Sequence, residues 1–453
     1  MTGLILGFLL AQGWWRTYDN GGFDWGYSVC VDGSNNVIVA GSSTNNPNGL
    51  DAHVWKYDPN GTLLWDVTRA DPGDEWVRNV CVDALGNIYI VMTDYSVAVG
   101  DARVTKYTPA GVFVGEDTYD GGRGDEGYGI TYAAGGVYMA GYTMNADSNY
   151  DILAIKYDTV GTPTRLWVTI WDETGIWPWS EDIGHTIDVG PNGNPVVGGS
   201  THYLLVSTDP DALLVEFRAS DGAYVRDTIP LFSPTADDII EDIDIRSTGQ
   251  IAVVGRIAAS PERAVVGVYT FTNRSWWDVI QDASYRRSLY GVDISNNNDT
   301  VLVAGLWETT STNRDFWLRK YTWAGSNVWD TLIDHTPGSH DWAEDCLWDN
   351  TGLYTVSAGG TQVSGNSNML VYKLPIQSVD LEEGGKPSLA FSASPCPFFS
   401  EITITGSEGP FQVFDPAGRV VMATTEKTFG RGLAPGVYFI GAPEGMLRVV
   451  KIQ

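Results

Sequence analysis

Val37-Ile-Val-Ala-Gly41, Val137-Tyr-Met-Ala-Gly141, Pro195-Val-Val-Gly-Gly199, Ile251-Ala-Val-Val-Gly255 and Val301-Leu-Val-Ala-Gly305 are one pattern written five times: a short apolar run closed by glycine. Ile88-Tyr-Ile-Val-Met92 and Leu353-Tyr-Thr-Val-Ser357 are weaker copies. The closing residues 41, 92, 141, 199, 255, 305 and 357 stand 51, 49, 58, 56, 50 and 52 positions apart. β-Branched and aromatic residues fill each unit, and a strand-built repeat of about 50 residues reads as a propeller blade.

Each unit holds four strand-like runs. In the first they are Tyr27-Ser-Val-Cys-Val31, Val37 to Gly41, His53-Val-Trp-Lys-Tyr57 and Leu63-Leu-Trp-Asp-Val67. Tight turns such as Asp32-Gly-Ser-Asn-Asn36 and Asp58-Pro-Asn-Gly61 join the first run to the second and the third to the fourth. Their Gly and Asn supply the positive φ that short hairpins need. The blurred polar–apolar alternation fits sheets covered on both faces, and the closing Gly lets adjacent backbones approach. The seventh unit has three strands and then reaches Pro375, while the chain opens with Trp14-Trp-Arg-Thr-Tyr18. The expected fold is an all-β, seven-bladed β-propeller over residues 14–375, closed by the N-terminal strand; closure removes free sheet edges.

The pattern Asp-x-x-x-x-Lys-Tyr-Asp-x-x-Gly, at Asp51 to Gly61 and Asp151 to Gly161, resembles bacterial seven-bladed propeller repeats of the SBBP type. The fourth and fifth units depart from it, with Glu216 and Val268 in the place of Lys. The resemblance implies a fold and no particular activity, since propellers host unrelated functions.

The ends read differently. Met1 to Leu10 is apolar and Ala11-Gln-Gly13 offers small residues, so residues 1–13 read as a cleaved secretory signal. Residues 376–388 form a polar linker. Residues 389–453 are rich in short strands and read as a small Ig-like β-sandwich. Pro397-Phe398, Phe414-Asp-Pro-Ala-Gly-Arg-Val-Val421, Leu433-Ala-Pro-Gly-Val-Tyr-Phe439 and Val450-Lys451 resemble the C-terminal sorting domain of type IX secretion. Cys396 replaces the Asn usual before Pro397. That resemblance implies export, a secreted or cell-surface location, and the type IX secretion machinery as a partner.

Composition narrows the partners. The 56 Asp and Glu outweigh 27 Lys and Arg, for a net charge of −29. Such a field disfavours nucleic acid and anionic membranes, and no internal apolar run reaches membrane-spanning length. Four cysteines give no disulfide framework. Cys30, Cys81 and Cys346 fall at matching places in three units where the others carry Thr131, Asp188, Asp244 and Asp293, so they read as buried free thiols.

Binding residues belong on the face that carries the longer second-to-third loops and the fourth-to-first crossovers. Acids recur there in register: Asp24, Asp74, Asp125, Asp182, Asp238 and Asp341, with Arg287 in the sixth unit. In a ring these carboxylates would surround the channel mouth and could take a hard cation such as Ca²⁺. The competing reading has each Asp accept backbone N–H groups from the next blade or pair with a repeated Lys (Lys56, Lys106, Lys156, Lys320, Lys373). Trp25, Trp76, Tyr128 and Trp342 read as packing between blades. Trp177 and Trp179, in a crossover insertion, and Trp307 could form a stacking platform for sugar rings or a partner protein. The five histidines show no metal spacing, and no nucleophile elbow or phosphate loop is present, so no catalytic residue is nominated. Three functions remain open: a binding or adhesion platform for a glycan or cell-surface protein, a polysaccharide hydrolase or lyase using channel-mouth carboxylates, and a structural surface-layer component.

Overall fold

The computed structural model describes residues 13–46, 49–96, 99–133, 135–172, 181–202, 210–230, 232–233, 236–295, 297, 299–310, 313–335, 338–363, 365–375, 392–394, 401–405, 411–414, 420–434, 436–442 and 445–451. Residues 1–12 of the expected secretory signal, the expected linker 376–388, Trp177, Trp179 and Cys396 lie outside them. Among the described residues there is no helix.

Seven four-stranded antiparallel sheets follow one another. Their first strands are Asp24–Val31, Glu75–Val82, Asp125–Ala133, Asp182–Val189, Asp238–Ile245, Arg287–Ile294 and Asp341–Trp348, which define blades 1 to 7. In blades 1 to 6 sheet order is chain order; in blade 7 it runs Trp14–Tyr18, Asn366–Pro375, Tyr354–Val363, Asp341–Trp348. Each first strand touches the first strand of the next blade, and that of blade 7 touches that of blade 1. The result is a ring of seven first strands around a central channel: an all-β seven-bladed propeller.

Burial explains the composition of each strand. The second and third strands of blade 2 (Ile88–Asp94, Asp101–Tyr107) and of blade 4 (Pro195–Thr201, Asp211–Phe217) are buried at every position. Sheets covered on both faces lose the polar–apolar alternation, as these have: Ile88–Met92 is an unbroken apolar run, while Asp101–Tyr107 buries Asp101, Arg103 and Lys106 among apolar residues. The cores lie between blades: Ile38, Ala40 and Val54 of blade 1 pack on Val77, Val80 and Ile90 of blade 2. Each such Val or Ile contributes on the order of 2 kcal/mol when fully buried.

The closing glycine has a specific cause. A Cβ on Gly41 would sit 1.7 Å from the carbonyl oxygen of Trp25, and on Gly141 1.8 Å from that of Glu126. Both meet the first strand where its register shifts, between Gly26 and Ser28 and between Gly127 and Gly129. In blade 7 the residue in this contact is Gly359, against Trp342, two positions beyond Ser357. Blade 2 is the exception, with Met92 opposite Val77.

The repeated lysines act at the tight-turn end. Lys56 Nζ donates to Pro109 O at 3.0 Å, Lys106 to Thr159 O at 2.6 Å and Lys156 to Ala219 O at 3.0 Å, each reaching the hairpin of the next blade. Lys56 also pairs with Asp32 of its own blade at 2.9 Å. For these three, the structure replaces the expected pairing with the strand-opening acids by bonds between blades.

Cys30, Cys81 and Cys346 are free. Cys346 is displaced by one residue from the matching place expected for it. Its N–H meets Asp345 Oδ1 as the Val80 N–H meets Asn79 Oδ1 and the Ile243 N–H meets Asp242 Oδ1. It therefore fills an apolar interblade position, where a thiol serves as a small hydrophobe.

Contacts divide the chain into a unit of Arg16–Gly352 with Val356–Val371 and another that includes the chain from Tyr372 onward. Taken alone, the C-terminal part has two antiparallel sheets. One joins Ser392–Ser394, Ile402–Thr405 and Thr428–Phe429; the other orders Val420–Thr424, Phe411–Phe414, Gly436–Ala442 and Gly445–Lys451. Ile402, Ile404, Phe411, Val413, Phe429, Tyr438 and Ile440 form its apolar core.

Candidate functional site in the central channel

In blades 1 to 6 the first strand skips one residue of its register. The skipped residues are Tyr27, Arg78, Tyr128, His185, Glu241 and Tyr290, and Glu344 holds the same place in blade 7. A β-bulge leaves one residue out of the ladder and re-aims its side chain. All seven line one cavity of about 360 Å³ inside the channel, joined by Asn79, Asp242, Asp345, Arg256 and Arg286. That volume lies in the range of small-molecule sites and suits a ligand about the size of one or two sugar rings.

The lining is unevenly charged. Arg78 lies over the rings of Tyr27, Trp76 and Tyr128 at 5.8, 5.5 and 5.0 Å from their centroids. Its buried Nε has no hydrogen-bond partner, and its carboxylate neighbour Glu126 is 4.0 Å away. A guanidinium held by ring faces but short of acceptors suits an anionic or hydroxyl-rich guest. Arg256 is committed to Glu241 at 2.5 Å and Glu262 at 3.3 Å; Arg286 to Glu262 at 2.8 Å and the Tyr290 hydroxyl at 2.7 Å.

The carboxyl of Glu344 is pushed up to about 8, by burial first and by Glu241 second, against the pull of Arg78 and Arg286. At neutral pH it is mostly a neutral acid able to donate. Burial also holds the His185 imidazole below its ordinary value, so it is neutral. The cavity thus offers acceptors, neutral donors, ring faces and one under-bonded cation.

The strand-opening acids lie elsewhere, four of them tied to the segment that leads into their own strand. Asn20 N donates to Asp24 at 2.9 Å, Gly121 N to Asp125 at 2.6 Å, Phe232 N to Asp238 at 2.9 Å and His335 N to Asp341 at 2.6 Å. Asp182 opens the first strand of blade 4 in the same register and is fully buried. In blade 2 the residue in register is Glu75, paired across the sheet with Asp94; Asp74 precedes it and accepts from Leu50 N at 2.8 Å. Burial raises Asp24 to about 6, Asp238 to about 7 and Glu75 to about 8. Of the six predicted residues only Asp125 belongs to a close carboxylate group, with Asp101 and Asp120; among the described residues no other group of three or more converges as tightly.

Of the three aromatic candidates, Trp177 and Trp179 lie outside the described residues. Trp307 is capped by the Arg287 guanidinium 3.8 Å from its ring and packs edge-on against Trp317 at 5.1 Å. Tyr128, expected between blades, faces the cavity. The cavity residues went unrecognised in the sequence, yet one signal was available. The place three residues after the strand-opening acid reads Tyr, Arg, Tyr, His, Glu, Tyr, Glu, and holds no aliphatic side chain.

No protein-family model matches the chain, and no curated protein is similar to it in sequence. Solved structures are similar in fold. The WD40 domain of Pan2 from Neurospora crassa superposes with a TM-score of 0.50 at 9% identity, over 81% of this chain and 96% of that one. PorZ, an essential surface component of the type-IX secretion system of Porphyromonas gingivalis, gives 0.45 at 13% identity over 96% of this chain and 60% of its own. Polysaccharide lyase Uly1 gives 0.47 at 9% identity, over 79% and 91%. Identities this low concern the fold alone.

Proposed function

We propose that the chain is an exported propeller that acts as a binding platform and takes a glycan in the central channel. The observation that carries this reading is the ring of seven bulge-borne side chains, which puts tyrosines, carboxyls and an under-bonded Arg78 around one cavity. Hydroxyl-rich rings are held by stacking and by paired donors and acceptors, both of which this lining supplies. An acidic sugar would add a carboxylate for Arg78. The sorting-domain resemblance of residues 389–453 supports export, with an Ig-like module as the signal. The position of Trp14–Tyr18 at the edge of the blade 7 sheet supports its role as the closing strand.

The test is titration of the full chain with neutral and uronic-acid oligosaccharides by calorimetry. Arg78→Ala is expected to weaken acidic-glycan binding by at least about 2 kcal/mol, the scale of a charge-assisted bond. Equal binding by the variant would remove the cavity from this role. Deleting residues 389–453 is expected to leave a folded propeller inside the cell; normal secretion of the truncated protein would refute the export reading.

A second reading has one observation of its own. A protonated Glu344 beside Glu241 is the arrangement of a general acid next to a carboxylate, as glycan cleavage requires. Product release from the same oligosaccharides, abolished in Glu344→Gln, would favour it over binding alone.

A further inference from the structure

Where consecutive blades meet at the loop end, the fold builds one corner repeatedly. In three blades the first residue of the first strand donates its N–H to the carbonyl just before the third strand of the preceding blade. Asp125 N meets Gly100 O at 3.0 Å, Asp238 N meets Pro210 O at 2.7 Å and Arg287 N meets Glu262 O at 3.1 Å. Each such corner is bordered by the first residues of those two strands and by the crossover between them.

The corners differ in how their charge is met. Between blades 1 and 2 the crossover acid Asp71 is held by Arg69 at 3.0 Å and Arg103 at 2.6 Å. Between blades 5 and 6 the strand-opening residue is Arg287 itself, whose Nη2 lies 3.2 Å from Asp282. There the protein places its own cation in the corner. Between blades 2 and 3 stand Asp101, Asp120 and Asp125, with one oxygen of each lying within 4.8 Å of the others. Among the described residues no Lys or Arg nitrogen pairs with any of the three. Arg103 is spent on Asp71 and Asp94, and Arg123 bonds Ser148.

A second feature points the same way. Asp125 is fully buried, and while its Oδ2 accepts from Gly121 N, its Oδ1 makes no hydrogen bond. The Thr143 hydroxyl approaches the same carboxyl and favours its charged form, but not in the geometry of a full hydrogen bond to Oδ1. The Asp120-Gly-Gly-Arg-Gly-Asp125 crossover is fixed by these bonds and by Gly122 N to Asp120 Oδ1 at 2.7 Å. Oδ1 of Asp24 and of Asp238 likewise lacks a hydrogen bond, but among the described residues only Asp125 also stands with two further carboxylates within 4.8 Å, an arrangement that is costly unless a cation meets it.

We propose that this corner is a Ca²⁺ site, with Asp101, Asp120 and Asp125 each giving one oxygen and water completing the shell through exposed Asp120. Oxygens bound to one Ca²⁺ at about 2.4 Å lie at most about 4.8 Å apart, so the observed spread can close on that ion. Mg²⁺ binds at about 2.1 Å in a strict octahedron and would need a tighter set.

The experiment uses the full chain stripped with chelator, titrated with Ca²⁺ by calorimetry and followed by thermal melting. One saturable site and a melting temperature that rises with Ca²⁺ are expected. Asp125→Asn and Asp120→Asn should each weaken binding by at least about tenfold, because affinity follows the ligand charge. Asp282→Asn, in the corner that carries Arg287, should leave it unchanged. Asp120 is exposed, so its variant remains informative if Asp125→Asn fails to fold. Absence of saturable binding at millimolar Ca²⁺, undiminished binding in Asp120→Asn, or a preference for Mg²⁺ would overturn the proposal.

Discussion

The two sides of the channel wall use one backbone position for opposite purposes. Seven residues into the first strand, blades 1 to 3 carry Cys30, Cys81 and Thr131, whereas blades 4 to 6 carry Asp188, Asp244 and Asp293. On the acidic side each carboxylate accepts a backbone N–H from the next blade: Ile245 N to Asp188 at 2.8 Å, Ile294 N to Asp244 at 2.6 Å and Trp348 N to Asp293 at 2.5 Å. The three carboxyls also reach one another in sequence. Burial raises all of them, Asp188 to about 8, so at neutral pH Asp188 mostly keeps its proton. On the thiol side burial pushes Cys30 and Cys81 far up, and they serve as packing. Adjacent inner strands can therefore be joined either by a side-chain acceptor or by apolar contact alone.

Removing the acceptor gives the largest expected difference between the sides. Asp244→Ala leaves the Ile294 N–H without that carboxylate, at a cost of about 2 kcal/mol. Cys81→Ala removes only packing and should cost about 1 kcal/mol or less. Urea denaturation of both variants checks this; equal midpoints would mean that the interblade bond contributes nothing beyond volume.

The second difference is in pH dependence. A carboxyl raised in the folded state binds its proton more tightly there than in the unfolded chain, where it titrates near 4. Stability from such groups is full at low pH and is lost as pH rises from about 4 through about 8. Asp188 faces Asp244, Asp293 faces Asp244 and Asp345, and Glu344 faces Glu241, Arg78 and Arg286. The melting temperature should fall between pH 5 and 8.5, and Asp188→Asn should make that fall shallower. Cys30→Ser, at the same place on the other side, should leave the slope unchanged. A slope unaltered in Asp188→Asn would show that the carboxyl does not hold its proton.

The contrast also bears on what the chain discloses before it folds. Blade number, strand order and the tight turns were legible because Val37 to Gly41 and its copies repeat a burial pattern that each blade must satisfy. The closing Gly was legible as a small residue, though its cause, the carbonyl of Trp25 forced close by a bulge, lies in the neighbouring strand. The cavity was not legible. A bulge at Arg78 or His185 reverses the alternation from that point on, and no local pattern announces it. The acids at 24, 125, 182, 238 and 341 were found by their register, but whether a carboxylate such as Asp125 meets its crossover or a neighbouring blade depends on residues far off in sequence, such as Asp101.

The smallest expected effect comes from moving the acidic device by one blade. Thr131 lies next in the ring to Asp188, and the N–H it would face belongs to Val189, which matches Ile245 and Ile294 in register. Thr131→Asp should gain an interblade bond and bear the burial of one more neutral acid, and these terms nearly cancel, within about 1 kcal/mol. The change should appear instead in the pH series, where a fourth carboxyl in the run steepens the loss of stability above pH 5. A loss above about 2 kcal/mol would mean that blade 3 cannot seat the carboxyl, and that the acidic side depends on its surroundings rather than on the strand position it shares with the thiols.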